Sequence, residues 1–372
     1  MHFTEITQGF AGLDETNLPR HGTRAQWSAG NGRTWAIVLA AGAGTRLRLL
    51  TTNPAGIPVP KQYCSLDSGP SLLRQALARA FSIVPRWRTS VVVAEQQVQW
   101  WGPLARELPG TVAVQPEDRG TAIGILLALV RILERDPDAR VVILPADHHV
   151  IDERALTRTL RNAIGALLYR HAEIILLGVA PEGPDPELGY IVPAGLAMSG
   201  LLGIAKFVEK PAHAHAARLI AAGALWNTFI MVANARELLE LLRGCEPSVV
   251  ADLQHCLQDG LSEDGPAPAL RELYRRLPVL DFSRDIAQWN SAAFSALRAP
   301  ACGWTDLGTV DRVRKALWQH AKAPGTGSAT AGCELPALSL AHALRSERLP
   351  GQAGRDLPNE LGVSAIEMMS AR

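Results

Sequence analysis

The chain of 372 residues is 47% hydrophobic and carries 37 Lys plus Arg against 36 Asp plus Glu, for a net charge of +1. Such a length leaves room for a sizeable core in one large domain or two smaller ones. Nothing in that balance calls for nucleic acid or a membrane surface as partner, and a small-molecule partner is expected instead. Five cysteines without CxxC spacing fit reduced thiols in a cytoplasmic protein better than a disulfide framework.

Residues 1–33 are polar and aperiodic, with no basic segment leading into an apolar core. They read as a loosely ordered extension and not as a secretory signal. Between Trp35 and Gln62 the pattern sharpens into WAIVLAAGAGTRLRLLTTNPAGIPVPKQ. An apolar run suited to a buried strand, Ala36 to Ala41, passes into the turn Gly42, Ala43, Gly44, Thr45, where glycine lets successive N–H groups converge on an anion. Arg46 adds a charged fork for phosphate oxygens. Lys61 follows from a chain that Pro54, Pro58 and Pro60 keep extended. The P-loop pattern fails because no Lys-Ser or Lys-Thr follows Gly44. The dinucleotide fingerprint fails at its third glycine, where Leu47 stands, which argues against a nicotinamide dehydrogenase.

Further elements follow in order. Ser71 to Val84 has helical spacing; Ser90 to Ala94 and Thr111 to Val114 read as strands. Thr121 is placed to cap a long helix from Ala122 to Glu134. The apolar run within it, ending at Arg131, is too short to span a bilayer. Arg140 to Leu144 is a strand ending at Pro145, Ala146, Asp147, His148, His149. A carboxylate just past a strand end lies where open α/β sheets bind ligands, so Asp147 is a candidate Mg²⁺ ligand. The alternative for Asp147 is a cap for the helix after Asp152. Residues 155–170 read as a helix, Glu173 to Val179 as a strand, and 236–300 as mostly helical. Strand and helix alternate as βαβ units do.

LAAGAGTRL (39–47) followed by PKQY (60–63) resembles the sugar-nucleotide pyrophosphorylases, or nucleoside-diphosphate-sugar nucleotidyltransferases. PKQ and PADH (145–148) are most similar to the bacterial mannose-1-phosphate guanylyltransferases among them. Other segments resemble family motifs in family order: QPxxxGTA at 115–122, GYI at 189–191, IAKFVEKP at 204–211 and GWxDxG at 303–308. WNTFI at 226–230 departs from the family's WNSGMF, keeping Asn227 but not the glycine, and so puts bulk beside the expected sugar.

The resemblance implies a Rossmann-like α/β fold with a mostly parallel mixed sheet flanked by helices. It would place a nucleotidyltransferase domain at 34–320 and a largely flexible tail, with a short docked helix, at 321–372. It implies that Ala41, Gly42, Gly44 and Thr45 hold a nucleoside triphosphate, and that Gln115, Gly120, Thr121 and Ala122 surround the base. Gly189, Tyr190, Glu209 and Asn227 would contact the sugar of a sugar 1-phosphate. Arg46, Lys61, Asp147, Lys210 and Asp306 would be catalytic, with Asp147 and Asp306 meeting at one Mg²⁺ and His148 supporting them. GTP and mannose 1-phosphate are the expected substrates, with neither nucleic acid nor membrane as partner; a homodimer is compatible with the sequence. The altered WNTFI segment also keeps open a catalytically silent relative that binds nucleotide sugars.

Overall fold

The computed structural model describes residues 32–169, 173–196, 200–258, 266–322 and 338–345. The first half alternates β1 (Thr34–Ala40), α1 (Leu72–Phe81), β2 (Thr89–Ala94), β3 (Thr111–Gln115), α2 (Gly120–Arg135), β4 (Arg140–Pro145), α3 (Glu153–Leu168) and β5 (Ile174–Val179). Then come β6 (Tyr190–Leu196), β7 (Leu202–Val208), α4 (His213–Ala221), β8 (Leu225–Asn234), α5 (Ala235–Cys245), α6 (Pro247–Gln258), α7 (Pro268–Arg276), β9 (Ser295–Arg298), α8 (Val310–Lys322) and α9 (Leu340–Arg345).

These nine strands form one mixed sheet in the order β3-β2-β1-β4-β8-β5-β9-β7-β6. Its parallel character belongs mainly to the first half, where β1 pairs with β2 and β4, and β2 with β3. Such strands are covered on both faces, which is why β1 reads as an unbroken apolar run with Ala36, Ile37 and Val38 fully buried. Ile37 faces a core built with α2, α5, α6 and α7. Ala36 and Val38 face the other core, with α1, α3, α8 and α9. Each Leu or Ile so buried contributes about 1.5–3 kcal/mol.

The second half is largely antiparallel and turns on β8, which runs against β4, β5 and β6. Along β5 the pairing jumps from Leu176–Met231 to Gly178–Asn227. Thr228, Phe229 and Ile230 therefore bulge opposite Leu177 alone, a device that re-aims side chains.

Local signals account for most helix ends. Ser71 accepts from Arg74 N at 3.4 Å, and Asp152 accepts from Ala155 N at 2.9 Å. Asp152, and not Asp147, thus caps α3. The start of α2 corrects the sequence reading, because Thr121 is not its cap. The helix begins at Gly120 after Arg119, which makes no side-chain cap bond, while Asp118 Oδ1 accepts from Gly120 N at 2.9 Å. The reason is tertiary. Leu280 N donates to Arg119 O and Ala122 N donates to Leu280 O, both at 3.0 Å, and Thr121 Oγ1 is used by Phe282 N at 2.8 Å.

In the stretch expected to be helical, a π-helical turn at Phe282–Ala287 and the four-residue β9 interrupt the helices. Residues 1–31 of the proposed 1–33 extension, and most of the tail beyond Lys322, lie outside the described residues. Within the tail, Leu340–Arg345 forms a helix docked by Leu340 N to Ser65 O at 2.9 Å. No helix among the described residues is long and apolar enough to cross a membrane, and Cys64, Cys245 and Cys302 are free thiols.

Candidate active site

β1 delivers the chain into the glycine turn. Gly44 has φ +62°, and a Cβ there would come within 3.0 Å of Lys61 N, so glycine is what lets the turn lie against the Lys61 backbone. Two glutamines given no role above hold the turn. Gln62 Nε2 donates to Ala40 O at 2.8 Å and to Gln97 Oε1 at 2.9 Å. Gln97 Nε2 donates to Gly42 O at 3.0 Å and Ala41 O at 3.2 Å. These bonds engage the turn's carbonyls from within. Outside, space is open over Gly42, where an added Cβ would meet nothing within 4 Å, and Thr45 is exposed.

Lys61 is 4% exposed. Its Nζ lies 2.8 Å from Asp147 Oδ2 and donates to the carbonyl of Asp306. Asp147 follows β4, with its side chain 37% exposed. Burial works against its charged form, but the Lys61 ammonium and then His148 outweigh that and hold the carboxyl down at about 2. Burial pushes His148 down to about 4, so its ring is neutral at pH 7. Trp304 Nε1 donates to His148 Nδ1 at 3.3 Å, which leaves the proton on Nε2, 3.6 Å from Asp147 Oδ1.

The meeting of residues 147 and 306, distant in sequence, has a simple cause. His149 N donates to Thr305 O, and Thr305 N to His149 O, both at 2.9 Å. This one-residue bridge fastens PADHH to GWTDLG. Asp306 Oδ1 then accepts from Gly308 N at 3.0 Å and from Arg312 Nη1 at 2.5 Å, while Oδ2 stands 3.9 Å from Arg46 Nη2. A Cβ on Gly308 would fall 2.5 Å from Asp306 Oδ2 and 3.0 Å from Arg46 Nη1, which accounts for a glycine there. Arg46 also pairs with Glu187 at 3.0 Å, and Arg312 with Asp185 at 3.6 Å. Arg312, Asp185 and Glu187 were missed by the sequence reading; Arg312 lies just beyond the last motif, and the acidic pair within a proline-rich loop.

That loop, 181–189, leads to a second group. Gly189 O accepts from Asn227 N at 2.8 Å, and a Cβ on Gly189 would lie 2.6 Å from Glu209 Oε2. Gly189, Glu209 and Asn227 therefore come together. Tyr190 does not join them. It is fully buried, donating from its hydroxyl to Asp185 O at 3.0 Å and accepting from Asp185 N at 2.8 Å, so the expected sugar contact is corrected to a pin under the loop. Burial raises the Glu209 pKa against the opposing pull of Lys210. Lys210 Nζ sits 3.5 Å from Glu209 Oε1, half exposed, and pairs with that residue and not with the Lys61–Asp147–Asp306 set.

Of the expected base contacts, Gln115 closes β3, 2% exposed, with its Oε1 lacking a hydrogen-bond partner among the described residues. Gly120, Thr121 and Ala122 pack on residues 280–282 instead: a Cβ on Gly120 would sit 2.2 Å from Leu280 O. Among the described residues, the non-glycine positions with left-handed backbone are Lys210, Phe229 and Leu307. Each adjoins or is part of this site, and each costs about 1–3 kcal/mol, a pattern associated with functional regions.

No group of three or more His, Cys, Asp or Glu gathers at metal-binding spacing among the described residues. Asp147 presents its carboxylate to Lys61, whereas Asp306 presents its main-chain carbonyl there and turns its carboxylate to Gly308, Arg312 and Arg46; so few protein donors would suit only an ion that takes most of its ligands from phosphate and water.

The Pseudomonas putida alginate biosynthesis protein AlgA is 27% identical over 305 residues, covering 80% of this chain and 60% of that protein. The mannose-1-phosphate guanylyltransferase ManC of Salmonella typhimurium is 26% identical, covering 74% and 58%. The chain thus spans about three fifths of the length of these curated relatives. Among solved structures, a mannose-1-phosphate geranyltransferase from Thermus thermophilus superposes with a TM-score of 0.66 at 28% identity, over 77% of this chain and 79% of that one. Residues 35–322 match the family model described as nucleotidyl transferase; that match takes in the glycine turn, Lys61, Asp147 and Asp306, and the chain belongs to this family.

Proposed function

We propose that the chain catalyses Mg²⁺-dependent nucleotidyl transfer from a nucleoside triphosphate to a sugar 1-phosphate, giving a nucleoside-diphosphate sugar and pyrophosphate. The observation that carries this reading is the buried Lys61 ammonium, set between Asp147 and Asp306 beside the glycine turn, with Arg46 near Asp306. In such a transfer the sugar phosphate attacks the α-phosphorus and pyrophosphate leaves in line. No nucleophilic side chain is needed, and positioning and charge neutralisation supply the acceleration.

Each residue then has a task. The N–H groups of Gly42, Gly44 and Thr45 bind the triphosphate; Ala41 and Gly42 are held for this by Gln97. Lys61 offsets charge growing at the α-phosphate, and Arg46 exchanges Glu187 for the departing pyrophosphate. Lys210 binds the sugar phosphate, while Glu209 and Asn227 accept and donate hydrogen bonds to sugar hydroxyls. Asp147, partly exposed, and Asp306 through Oδ2, beyond hydrogen-bond distance of Arg46, are the donors suited to Mg²⁺. When bound, that ion would neutralise charge on the reacting phosphate oxygens.

For the base we assign guanine, with the unpartnered Gln115 Oε1 reading its edge, and for the sugar mannose or a close hexose relative. PKQ, PADH and the naming of the Salmonella relative support this pair. The test is a pyrophosphate-release screen of nucleoside triphosphates against hexose 1-phosphates, with Mg²⁺ and again with a chelator. Release should be strongest with GTP and cease on chelation. Calorimetric binding of nucleotide sugars without turnover of any pair would replace this reading with that of a silent binder.

A further inference from the structure

The sharpest departure from the family-like motifs falls at Phe229, which occupies the glycine position of WNSGMF. The structure holds it at φ +57°, backbone that glycine enters freely and a bulky residue does not. Its neighbours enforce this. Phe229 N donates to Asn227 Oδ1 at 3.2 Å, Thr228 Oγ1 donates to Leu177 O at 2.7 Å, and Ile230 N donates to Thr228 Oγ1 at 3.2 Å.

The bulge presents the ring to Phe282, edge to face with centroids 6.2 Å apart. With Leu176, Phe207, Asn227, Met231, Ser283 and Ala287, these two rings line a pocket with about 10 Å³ of room left; Asn227 Oδ1 is already engaged by Phe229 N. That is space for a single methyl or water, and walls so apolar favour the methyl. The pocket adjoins the residues assigned to the sugar: a Cβ on Gly189 would lie 3.2 Å from Phe207 Cζ, 3.5 Å from Asn227 Cβ and 2.6 Å from Glu209 Oε2.

We propose that Phe229 sets acceptor specificity by turning this corner into an apolar subsite, so that the preferred hexose 1-phosphate presents a deoxy or methyl carbon there in place of a hydroxyl. The inference rests on the reading of the acceptor as a sugar 1-phosphate. A hydroxyl pressed against the Phe229 ring loses water and gains no partner from the ring, whereas a C–H or methyl group loses nothing polar; Asn227 and Ser283 lie on the other walls of the pocket. Apolar pockets of this kind discriminate by about 10- to 100-fold.

The experiment measures kcat/KM with mannose 1-phosphate and its 2-, 3-, 4- and 6-deoxy counterparts, for the wild type, Phe229→Gly and Phe229→Asn. Glycine and asparagine both tolerate the left-handed backbone. Wild type should prefer one deoxy acceptor by about 10- to 100-fold. Both variants should lose or invert that preference while KM for the triphosphate stays the same. Wild-type preference for the parent over all four analogues, or a ranking unchanged in both variants, overturns the inference and leaves nucleotidyl transfer standing. Absence of turnover with every acceptor overturns the transfer reading, and this inference with it. Should neither variant fold, the wild-type ranking decides the matter.

Discussion

Around Lys61 the charged groups already have partners: Asp147 at 2.8 Å from Lys61, Arg312 at 2.5 Å from Asp306 and Glu187 at 3.0 Å from Arg46. Around Asn227 the means are different, with one loose pair, Lys210–Glu209 at 3.5 Å, and beyond it aromatic rings and a bulged strand. On the proposed function, the first region is held for a ligand of fixed charge, and its pairs would preset where phosphate oxygens go. The second reads shape and polarity, which is where related chains handling different sugars have reason to diverge.

The contrast can be broken from its charged side. Asp147→Asn should give the largest effect, lowering kcat by about 10³-fold or more. Circular dichroism should be unchanged, while Tm should fall by several degrees, because the buried Lys61 ammonium loses its charged partner. Wild-type pyrophosphate release by this variant would remove the phosphate-handling region from the chemistry. Arg312→Gln should cost about 10-fold in kcat, since it frees Asp306 without touching the substrates; a change in KM for the sugar phosphate alone would place Arg312 in a different role.

Smaller effects sharpen the comparison. Gly44→Ala meets both an unfavourable φ and the Lys61 backbone, and should cost about 1–2 kcal/mol in urea unfolding, with a several-fold higher KM for the triphosphate. Tyr190→Phe should be mildest. Losing the hydroxyl's bonds to Asp185 costs about 1 kcal/mol, while kcat/KM should stay within about 3-fold because the ring is fully buried beneath the loop. A loss of sugar affinity as large as that from Asn227→Ala would restore the direct contact expected from the sequence.

The difference between the regions also explains what was legible in the sequence. The glycine turn and Asp147 follow strand ends, where an apolar run stopping at a small or charged residue is a local signal, and Lys61 follows the run of prolines that ends at Pro60. Arg312, Glu187 and Gln97 carry no such mark. Their roles arise from contacts across 141 residues for Arg46–Glu187 and 55 for Gln97–Gly42, which spacing cannot foretell. Tyr190 and Thr121 were misjudged for a related reason: a local pattern named a contact or a cap, and tertiary partners, Asp185 and Phe282, claimed those hydroxyls first. The β8 bulge is legible only as a missing glycine, and β9 is too short to show a period.

The central claim is that Asp147 and Asp306, brought together by the His149–Thr305 bridge and by Lys61, act as one device on the reacting phosphates. A double-mutant cycle on pyrophosphate release tests it most directly. Asp147→Asn and Asp306→Asn should each lose about 10³-fold, and the double variant little more than either alone, as groups that act as a unit do. Losses that multiply, or a single variant that keeps wild-type turnover, would contradict the account.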